Sequence, residues 1–532
     1  MRYTKNNRAL VLTIILVLSI LLSPSFSLNK SGDINNSELK ILDDDPPYIN
    51  NATSWADSLL NKMSLQEKIG QLFMVAAYSN RGKKHINKII DLIKKYHIGG
   101  LIFFQGTPRN QVQLTNSYQS LTKTPLLIAM DAEWGVGMRL DSVFDFPRQL
   151  NLGAIRDNNL IYQMGVAISE QCKRLGVHVN FAPVADVNSN PMNPVINDRS
   201  FGEDIYNVAN KSIAYMRGMQ DNNVLACAKH FPGHGDTDKD SHKTLPSVSQ
   251  SKQRIDSLEL YPFRQLIKNG VGSIMSAHLY VPALDSLEKR ASSLSKKIIT
   301  ELLKDEMDFN GLVFTDALNM KGVSQYFKPG ELEVKALLAG NDVLLYSEDV
   351  PRAIKHIEKA ITKGTISIND INNKVLKILK LKEWAGLKKI KKINTEGVNE
   401  DLNKVEYKVL DYKLRESALT VSSNYKDFLP IKSTNRMKLA TLSIGSESTN
   451  TFQKTIDLYK ASDHFYINKS ASPEDYRLLL TKLKRYSHVI VSFHKMSRYM
   501  RKDYGISFSS LGFLKKLQSY TNVVVALFGS PY

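Results

Sequence analysis

Short apolar runs alternate with longer amphipathic stretches between residues 51 and 390. Eight such runs occur, each six to ten residues long, and most of them end in a polar or titratable residue. The runs are QLFMVAAY (71–78), GGLIFF (99–104), PLLIAMD (125–131), VHVNFAPVAD (177–186), VLACAKH (224–230), GSIMSAH (272–278), GLVFTD (311–316) and DVLLYS (342–347). Runs of this length, separated by segments with helical spacing, predict buried strands that pair in parallel.

The segments between the runs carry apolar residues at helical spacing. Clear examples are HINKIIDLIKKY (85–96), NLIYQMGVAISEQCKRLG (159–176), RIDSLELYPFRQLIKN (254–269) and SKKIITELLKDEM (295–307). Eight strand–helix units over residues 51–390 predict an α/β fold of the TIM-type (β/α)8 barrel class, although a doubly wound open sheet would show the same alternation. The C-terminal strand ends of a barrel share one face, where we expect these residues to converge: Asp131, Asp186, His230, His278 and Asp316.

A second α/β pattern follows the barrel. Residues 391–410 are rich in Lys, Asn and Glu, which predicts a linker. Between residues 411 and 532 four apolar runs recur: KLATLSIG (438–445), HFYIN (464–468), HVIVSF (488–493) and NVVVALFG (522–529). The last run lies directly before Tyr532, where an open parallel sheet would normally add a covering helix. We therefore expect a smaller α/β sandwich domain that is short or truncated.

The N-terminal residues have the pattern of a secretory signal. MRYTKNNR carries three positive charges, fourteen largely apolar residues follow in ALVLTIILVLSILL, and SPSFS then supplies small residues. We expect a signal peptide over residues 1–27 and a flexible polar leader over 28–50. The apolar stretch is short for a spanning helix, although an uncleaved anchor would show the same pattern. The expected location is extracytoplasmic, periplasmic or secreted, with membrane contact only through the signal peptide.

Composition narrows the function classes. The formal charge is +19, but the lysines are scattered rather than clustered, which argues against a nucleic-acid partner. Such a surface could still attract acidic polymers such as cell-wall material. The two cysteines, Cys172 and Cys227, lie in a helical and a strand pattern, so we expect neither a disulfide framework nor a zinc site.

Residues 229–246, KHFPGHGDTDKDSHKTLP, form the most unusual segment, named here the histidine-rich loop. Three His and three Asp crowd together there, and Pro232 and Gly233 exclude a regular helix. The residues allow three interpretations: a metal site, an acid–base site, or a polar loop with satisfied side chains. The loop lacks the zinc motif HExxH, whereas Asp240 stands two residues before His242 and could orient its imidazole as an acid–base dyad.

The histidine-rich loop resembles the signature segment of family 3 glycoside hydrolases of the β-N-acetylglucosaminidase type. The resemblance extends over about residues 50–390 and, more weakly, over the C-terminal domain. The other matching segments are SLQEKIGQLFM (64–74), DAEWGVGMRL (131–140), NFAPVADV (180–187), NDRSFGED (197–204) and GLVFTDALNM (311–320). Two residues depart from the family pattern. Trp134 stands where Gly is common and Val136 where Arg is common, and Trp134 is expected either to face a sugar or to pack the loop.

The resemblance implies a role for each matched position. Asp316 would be the nucleophile of a retaining mechanism, His242 its acid/base, and Asp240 the carboxylate that supports His242. Sugar-binding roles would fall to five further residues: Asp131, Arg139, Arg199, Lys229 and His230.

Other polar residues near these motifs have less direct roles. We expect Asp186 to brace the barrel, and His234 and Asp236 to shape the loop. His278 is expected either to line the pocket or to pack beneath it.

The expected protein is an exported exo-acting β-N-acetylglucosaminidase, or β-N-acetylhexosaminidase. It would remove terminal β-linked N-acetylglucosamine from glycans such as peptidoglycan fragments, without metal or cofactor. A phosphorylase on the same site is an alternative, because a histidine repels incoming phosphate less than a carboxylate does. A β-glucosidase is disfavoured because such relatives generally lack the Asp-Ser-His element. A sugar-binding protein without turnover is disfavoured by intact Asp316, Asp240 and His242, and a metal-dependent hydrolase is the least favoured class.

Overall fold

The eight apolar runs form short strands in a computed structural model of the chain, which describes residues 45–50, 54–241, 244–287 and 290–529. The strands are β1 (Phe73–Ala77), β2 (Gly100–Phe103), β3 (Leu127–Met130), β4 (Val179–Asn180), β5 (Leu225–Phe231), β6 (Ser273–Ser276), β7 (Leu312–Thr315) and β8 (Leu344–Leu345). Neighbours pair in parallel, in the order β7-β6-β5-β4-β3-β2-β1-β8.

The sheet closes between its two end strands. A backbone bridge joins Phe314 of β7 to Val343, and the N–H of Thr315 donates to the carbonyl of Val343 at 3.0 Å. On its other side β8 pairs with β1, where Leu344 lies opposite Phe73. This closure confirms the TIM-type (β/α)8 prediction and excludes the open doubly wound sheet.

Helices connect the strands and cover the outside of the barrel. They are α1 (Ser54–Lys62), α2 (Leu65–Gln71), α3 (Lys83–Tyr96), α4 (Pro108–Gln119), α5 (Gln149–Gly153), α6 (Asn158–Arg174), α7 (Ile205–Gln220), α8 (Lys252–Arg254), α9 (Tyr261–Ile267), α10 (Lys321–Ser324), α11 (Glu331–Ala339), α12 (Val350–Thr362), α13 (Ile368–Trp384), α14 (Val398–Leu402) and α15 (Val405–Ser417). Two segments with α-helical periodicity, Ile255–Glu259 and Lys297–Glu306, form π-helix instead.

The barrel interior is filled by apolar side chains. Every residue of β2 and β3 is buried, as expected for a parallel sheet covered on both faces. The rings of Phe181 and Phe314 meet edge to face with centroids 5.3 Å apart. Because Phe181 follows β4 and Phe314 lies in β7, which are not neighbours, this contact crosses the interior. Such packing fixes the strand ends and thereby positions the residues that follow them.

The chain divides into two compact units after Ala418. The expected linker, residues 391–410, instead contains α14 and the start of α15, and both helices belong to the barrel unit. Leu402, Tyr407 and Leu414 on these helices are at most 5% exposed. Burial of apolar surface therefore holds this segment in place. The second unit begins at Leu419, not at residue 411 as expected.

The second unit contains the predicted smaller parallel sheet. Its elements are β9 (Leu439–Ile444), α16 (Thr451–Asp457), β10 (Asp463–Ile467), α17 (Pro473–Leu483), β11 (His488–Phe493), α18 (Phe508–Leu517) and β12 (Asn522–Leu527), with the strand order β10-β9-β11-β12. Val489 and Val491 pack in one core with Leu483 of α17, whereas Ile490 packs in a second core with Ile456 of α16. Both faces of this sheet are therefore covered, which confirms an α/β sandwich.

The segment that carries the expected signal peptide, residues 1–27, and most of the leader lie outside the described residues. In the described ranges, no helix has both the length and the apolar character that crossing a membrane requires. Export therefore stays a prediction from the sequence.

Candidate active site

Titratable residues meet at the C-terminal end of the barrel strands, as the alternation predicted. Asp131 directly follows β3, Lys229 and His230 lie near the end of β5, and Asp316 directly follows β7. The N–H of Asp316 donates to the carbonyl of Ser276 at 2.9 Å, and the N–H of Ala277 donates to the carbonyl of Phe231 at 2.8 Å, which links Asp316 across β6 to the end of β5. The parallel sheet thus brings residues distant in sequence to one face.

Asp131 is held by two cations. Lys229 Nζ donates to its Oδ1 at 2.8 Å, and Arg139 Nη2 donates to its Oδ2 at 2.5 Å. Burial opposes ionisation of Asp131, but Lys229 and Arg139 outweigh this effect and lower its pKa to about 2. Its side chain remains 14% exposed. The carboxylate is therefore charged at neutral pH, with lone pairs left for a ligand's hydroxyl groups.

Glu133 shares Lys229 with Asp131 but is not among the predicted site residues, although it stands in the segment DAEWGVGMRL. Arg199 donates to its carboxylate through Nε at 2.9 Å and Nη2 at 2.7 Å, and Lys229 Nζ lies 2.8 Å from Oε1. Burial opposes its charge, yet the two cations hold the pKa of Glu133 well below its usual value. Its spacing of two residues from Asp131 was the available signal, since both carboxylates share Lys229.

His230 joins the same network. Its Nε2 lies 3.4 Å from Arg199 Nη2, and its Nδ1 lies 2.7 Å from Asp186 Oδ2. The five predicted sugar-binding residues and Glu133 therefore form one connected cluster: Asp131, Glu133, Arg139, Arg199, Lys229 and His230.

Asp186 braces this cluster from below, as expected. It is fully buried, and it accepts the backbone N–H of His234 at 2.7 Å and that of His230 at 3.2 Å. Burial opposes its ionisation, but His230 and the hydrogen bonds keep its pKa below the ordinary value. A carboxylate without exposure cannot contact sugar directly, so its role is to fix the histidine-rich loop.

His234 shapes the histidine-rich loop from inside. Its Nδ1 lies 2.7 Å from Thr237 Oγ1 and its Nε2 lies 3.0 Å from Ser241 Oγ. Asn193 adds an anchor, since its amide donates to the carbonyl of His234 at 2.8 Å. Burial, together with nearby His230, lowers the pKa of His234 to about 4, so its ring is neutral at pH 7. Asp236 accepts a hydrogen bond from Gln250 at 2.7 Å.

The predicted acid/base His242 lies outside the described residues, but its flanks are placed. A Cβ added at Gly322 would lie 2.8 Å from the carbonyl oxygen of Ser241 and 2.8 Å from that of Thr244. The backbone on both sides of residues 242–243 therefore passes against α10, which begins five residues after Asp316. The carbonyl of Asp240 accepts the N–H of Thr244 at 3.1 Å.

Asp316 sits on a buried support. Its N–H donates to the carbonyl of Ser276 at 2.9 Å, and its Oδ1 accepts the N–H of Ala317 at 2.8 Å. His278 is fully buried below, with Nδ1 2.7 Å from Ser293 Oγ and Nε2 3.2 Å from the carbonyl of Ala317. His278 thus packs beneath the site, while Asp316 itself is only half-buried.

Trp134 lies at the edge of the cluster, directly after Glu133. The guanidinium of Arg148 stacks over its indole at 4.0 Å from the ring centroid, and Arg148 also pairs with Asp198 at 3.4 Å. Asp198 precedes Arg199 in the chain. The indole therefore packs the loops around Arg199, and neighbouring Val136 is fully buried.

Among the described residues, no group of three or more His, Cys, Asp or Glu is placed to hold a metal ion.

Comparisons with known proteins show the family and the fold. The model of the glycosyl hydrolase family 3 N-terminal domain matches residues 64–381. A β-hexosaminidase A from Pseudoalteromonas piscicida is 37% identical over 292 residues, which cover 51% of this chain and 48% of that protein. A β-hexosaminidase from Nitrosomonas eutropha is 34% identical over 262 residues, which cover 47% of this chain and 74% of that protein. The chain thus spans about half the length of the first relative.

The fold also matches a solved structure over most of its length. A glycoside hydrolase family 3 β-N-acetylglucosaminidase from Paenibacillus sp. str. FPU-7 superposes with a TM-score of 0.71 at 29% sequence identity. The match covers 88% of this chain and 91% of that chain.

Proposed function

The chain belongs to glycoside hydrolase family 3, and from this premise we propose that it is an exported, retaining exo-β-N-acetylglucosaminidase. One observation carries the proposal: a connected cluster of buried cations and carboxylates lies on the barrel face that also holds Asp316. The substrate class comes from the two relatives named β-hexosaminidase and from the similar β-N-acetylglucosaminidase structure.

The charged cluster suits the ring that is cleaved off. Asp131 accepts hydroxyl protons, while Lys229 and Arg199 donate to hydroxyl oxygens. His230, 8% exposed in its side chain, adds an imidazole edge at the same surface. Because these groups already hold one another in place, they need little reorganisation when the sugar binds.

Asp316 acts as the nucleophile. Its carboxylate oxygen forms a bond to the anomeric carbon as the glycosidic bond breaks, which gives a covalent glycosyl-enzyme. His242 gives a proton to the departing oxygen and then takes one from the water that releases the sugar. Asp240 orients His242. The position of Ser241 and Thr244 against Gly322 supports this pairing, because it brings the loop beside the segment that follows Asp316.

The natural substrate in this proposal is terminal β-linked N-acetylglucosamine of cell-wall fragments. Export by residues 1–27 would deliver the enzyme to that material, and a formal charge of +19 would favour contact with acidic wall polymers. Mass spectrometry of the chain recovered from outside the cytoplasm tests export. A mature N-terminus near residue 28 is expected, and retention of the whole chain in the cytoplasm contradicts it.

The activity is tested with p-nitrophenyl β-N-acetylglucosaminide and the matching β-glucoside. Each is assayed with and without phosphate and with and without EDTA. We expect turnover of the N-acetylglucosaminide, free sugar as the product, and no response to EDTA.

Each other outcome selects an alternative. Preference for the glucoside identifies a β-glucosidase, and sugar 1-phosphate formed in phosphate buffer identifies a phosphorylase. Binding of the sugar without turnover identifies a sugar-binding protein. If turnover is lost in EDTA and recovers when zinc is added, the protein is a metal-dependent hydrolase.

A further inference from the structure

Two rings and two guanidinium groups form a series of contacts beside the charged cluster, named here the column. Tyr78 follows β1 and Phe104 follows β2, and their rings stack with centroids 5.4 Å apart and planes 20° apart. The guanidinium of Arg81 lies over the Tyr78 ring at 3.5 Å from its centroid, and that of Arg139 lies over the Phe104 ring at 5.0 Å from its centroid. The strands fix the two rings, because the N–H of Phe104 donates to the carbonyl of Ala77 at 3.0 Å.

Arg139, at the inner end of the column, has few polar restraints. It donates to Asp131 through Nη2, and its Nε is buried without a hydrogen-bond partner among the described residues. Arg199 differs, because it donates to both oxygens of Glu133 and to the carbonyl of Val195 at 3.2 Å. The face of Phe104 is therefore the contact that limits how the Arg139 guanidinium can turn.

The other end of the column is tied to the barrel. The hydroxyl groups of Tyr78 and Tyr346 lie 3.1 Å apart, and Tyr346 directly follows β8. The N–H of Tyr78 donates to Nε2 of His85 at 3.1 Å. Phe104 thus packs against a ring that contacts from β1 and β8 hold in place.

We propose that Phe104, backed by Tyr78, is a positioning residue that acts through Arg139 to orient the sugar-binding carboxylate of Asp131. Lys229, 3% exposed in its side chain, fixes Oδ1 of Asp131 firmly, whereas Arg139, 23% exposed, holds Oδ2. The plane of the carboxylate therefore depends on the more exposed cation, and Phe104 restrains that cation. This inference rests on the proposed function, which assigns Asp131 to sugar hydroxyls.

A double-mutant cycle tests it in the full chain. Phe104→Leu, Arg139→Gln and the double variant are compared by kcat and KM on the aryl N-acetylglucosaminide. Phe104→Leu is expected to raise KM about 10-fold with little change in kcat, since the contact acts on bound sugar in ground and transition states alike. In the Arg139→Gln background, Phe104→Leu is expected to raise KM less than about 2-fold. An equal cost in both backgrounds overturns the proposal.

Two matched variants separate positioning from folding. Phe104→Trp keeps an aromatic face. Its KM is expected to stay within about 3-fold of the wild-type value, in contrast to that of Phe104→Leu. Phe465→Leu makes the same deletion at a half-buried ring of the second unit, and is expected to leave KM unchanged. Should Phe104→Leu not fold, Tyr78→Leu replaces it in the cycle. Failure of Phe104→Trp to keep KM in this range while the protein stays folded also contradicts the proposal.

The proposed function can fail separately. If the wild type prefers another glycoside, the cycle is measured on that glycoside. If it turns over none, the cycle is measured as the Kd for N-acetylglucosamine by calorimetry. Coupling between Phe104 and Arg139 then still decides the inference, whereas absence of N-acetylglucosaminide turnover in the wild type counts against the activity alone.

Discussion

The two halves of the barrel mouth carry different chemistry at their strand ends. The half around β3 and β5, called here the charged half, holds ionisable side chains that are buried or largely buried: Asp131, Glu133, Lys229 and His230. The half formed by β8, β1 and β2, called here the aromatic half, holds three rings in contact: Tyr346, Tyr78 and Phe104. Arg139 belongs to both halves, because it donates to Asp131 and lies over Phe104.

The two halves differ in the free energy that is lost when one partner of an interaction is removed. Deleting one partner of a buried ion pair leaves an uncompensated charge and costs about 3–5 kcal/mol. Losing a cation–ring contact costs about 0.5–2 kcal/mol. We therefore expect the charged half, with Asp316 beside it, to decide whether the enzyme turns over, and the aromatic half to decide how accurately the sugar is placed.

The largest effect is expected from Asp316→Ala. It removes the group that forms the covalent intermediate, so kcat for every substrate is expected to fall by several orders of magnitude. Steady-state assays on aryl and disaccharide substrates check this. A loss below about 10-fold on both would mean that another carboxylate is the nucleophile.

His242→Ala ranks next and differs in kind. Protonation of the leaving group is worth about 10²–10⁴-fold, so a disaccharide is expected to suffer more than an activated aryl glycoside. The second step still lacks its base, so glycosyl-enzyme is expected to accumulate and give a burst. Asp240→Asn is expected to act in the same direction more mildly. If the disaccharide and the aryl glycoside slow equally and no burst appears, His242 and Asp240 do not form the acid–base dyad.

Glu133→Gln tests the charged half through stability. It leaves Arg199 and Lys229 buried with one negative charge fewer, and is expected to lower the barrel's free energy of unfolding by about 3 kcal/mol. Chemical denaturation followed by circular dichroism measures it. Glu474→Gln is the matched control, because Glu474 pairs with Arg477 at 2.6 Å on the exposed surface of the second unit. If both variants shift the midpoint equally, the buried cluster is not what stabilises the barrel.

The charged half also carries a pH dependence, through buried His234. The pKa of His234 is lowered to about 4 when folded, against about 6.5 when unfolded, so the unfolded chain binds the proton first as pH falls. The folded protein therefore keeps its full stability above pH 6.5 and loses on the order of 3 kcal/mol through this group as pH falls from 6.5 to 4. Half-buried His178, which precedes β4 and lies outside the charged half, has a pKa of about 4 and contributes in the same window.

Unfolding midpoints measured from pH 7.5 to pH 4 check this expectation. His234→Gln removes one titrating group whose pKa is strongly lowered, so the fall in stability is expected to become smaller. His356→Gln, at a half-buried histidine of α12, serves as the control. An unchanged pH dependence in His234→Gln would mean that the ring is already charged in the folded protein.

The sequence predicted the barrel because its strands are short, apolar and separated by helical patterns. Once the strands are parallel, residues that follow them must share a face, so Asp131, His230 and Asp316 could be placed together in advance. Glu133 could not be placed, because nothing in DAEWGVGMRL shows that Arg199, 66 residues later, will turn towards it. Long-range ion pairs leave no periodic signal.

The expected linker and the aromatic half show two other limits of prediction from the sequence. Leu402, Tyr407 and Leu414 are buried, but they are widely spaced among Lys, Asn and Glu, so the composition indicated a linker. Tyr78 and Phe104 end two of the apolar runs, where an aromatic residue is also typical of core packing. The sequence alone could not tell a ring that only fills the core from a ring that supports Arg139. The stacking distances in the structure make that distinction.

The smallest effect is expected from Tyr346→Phe in the aromatic half. The change deletes the hydroxyl that lies 3.1 Å from that of Tyr78 and keeps the ring that meets Phe104 at 5.8 Å. One hydrogen bond between half-buried hydroxyls contributes about 1 kcal/mol or less, and the column stays stacked without it. KM for the aryl N-acetylglucosaminide is therefore expected to rise less than about 3-fold, with kcat unchanged. Tyr78→Phe removes the other hydroxyl group and is expected to give the same small rise in KM, because the same hydrogen bond is lost. A rise in KM above 10-fold for either variant would mean that the hydroxyl groups contact the sugar themselves, and the aromatic half would then bind substrate rather than support Arg139.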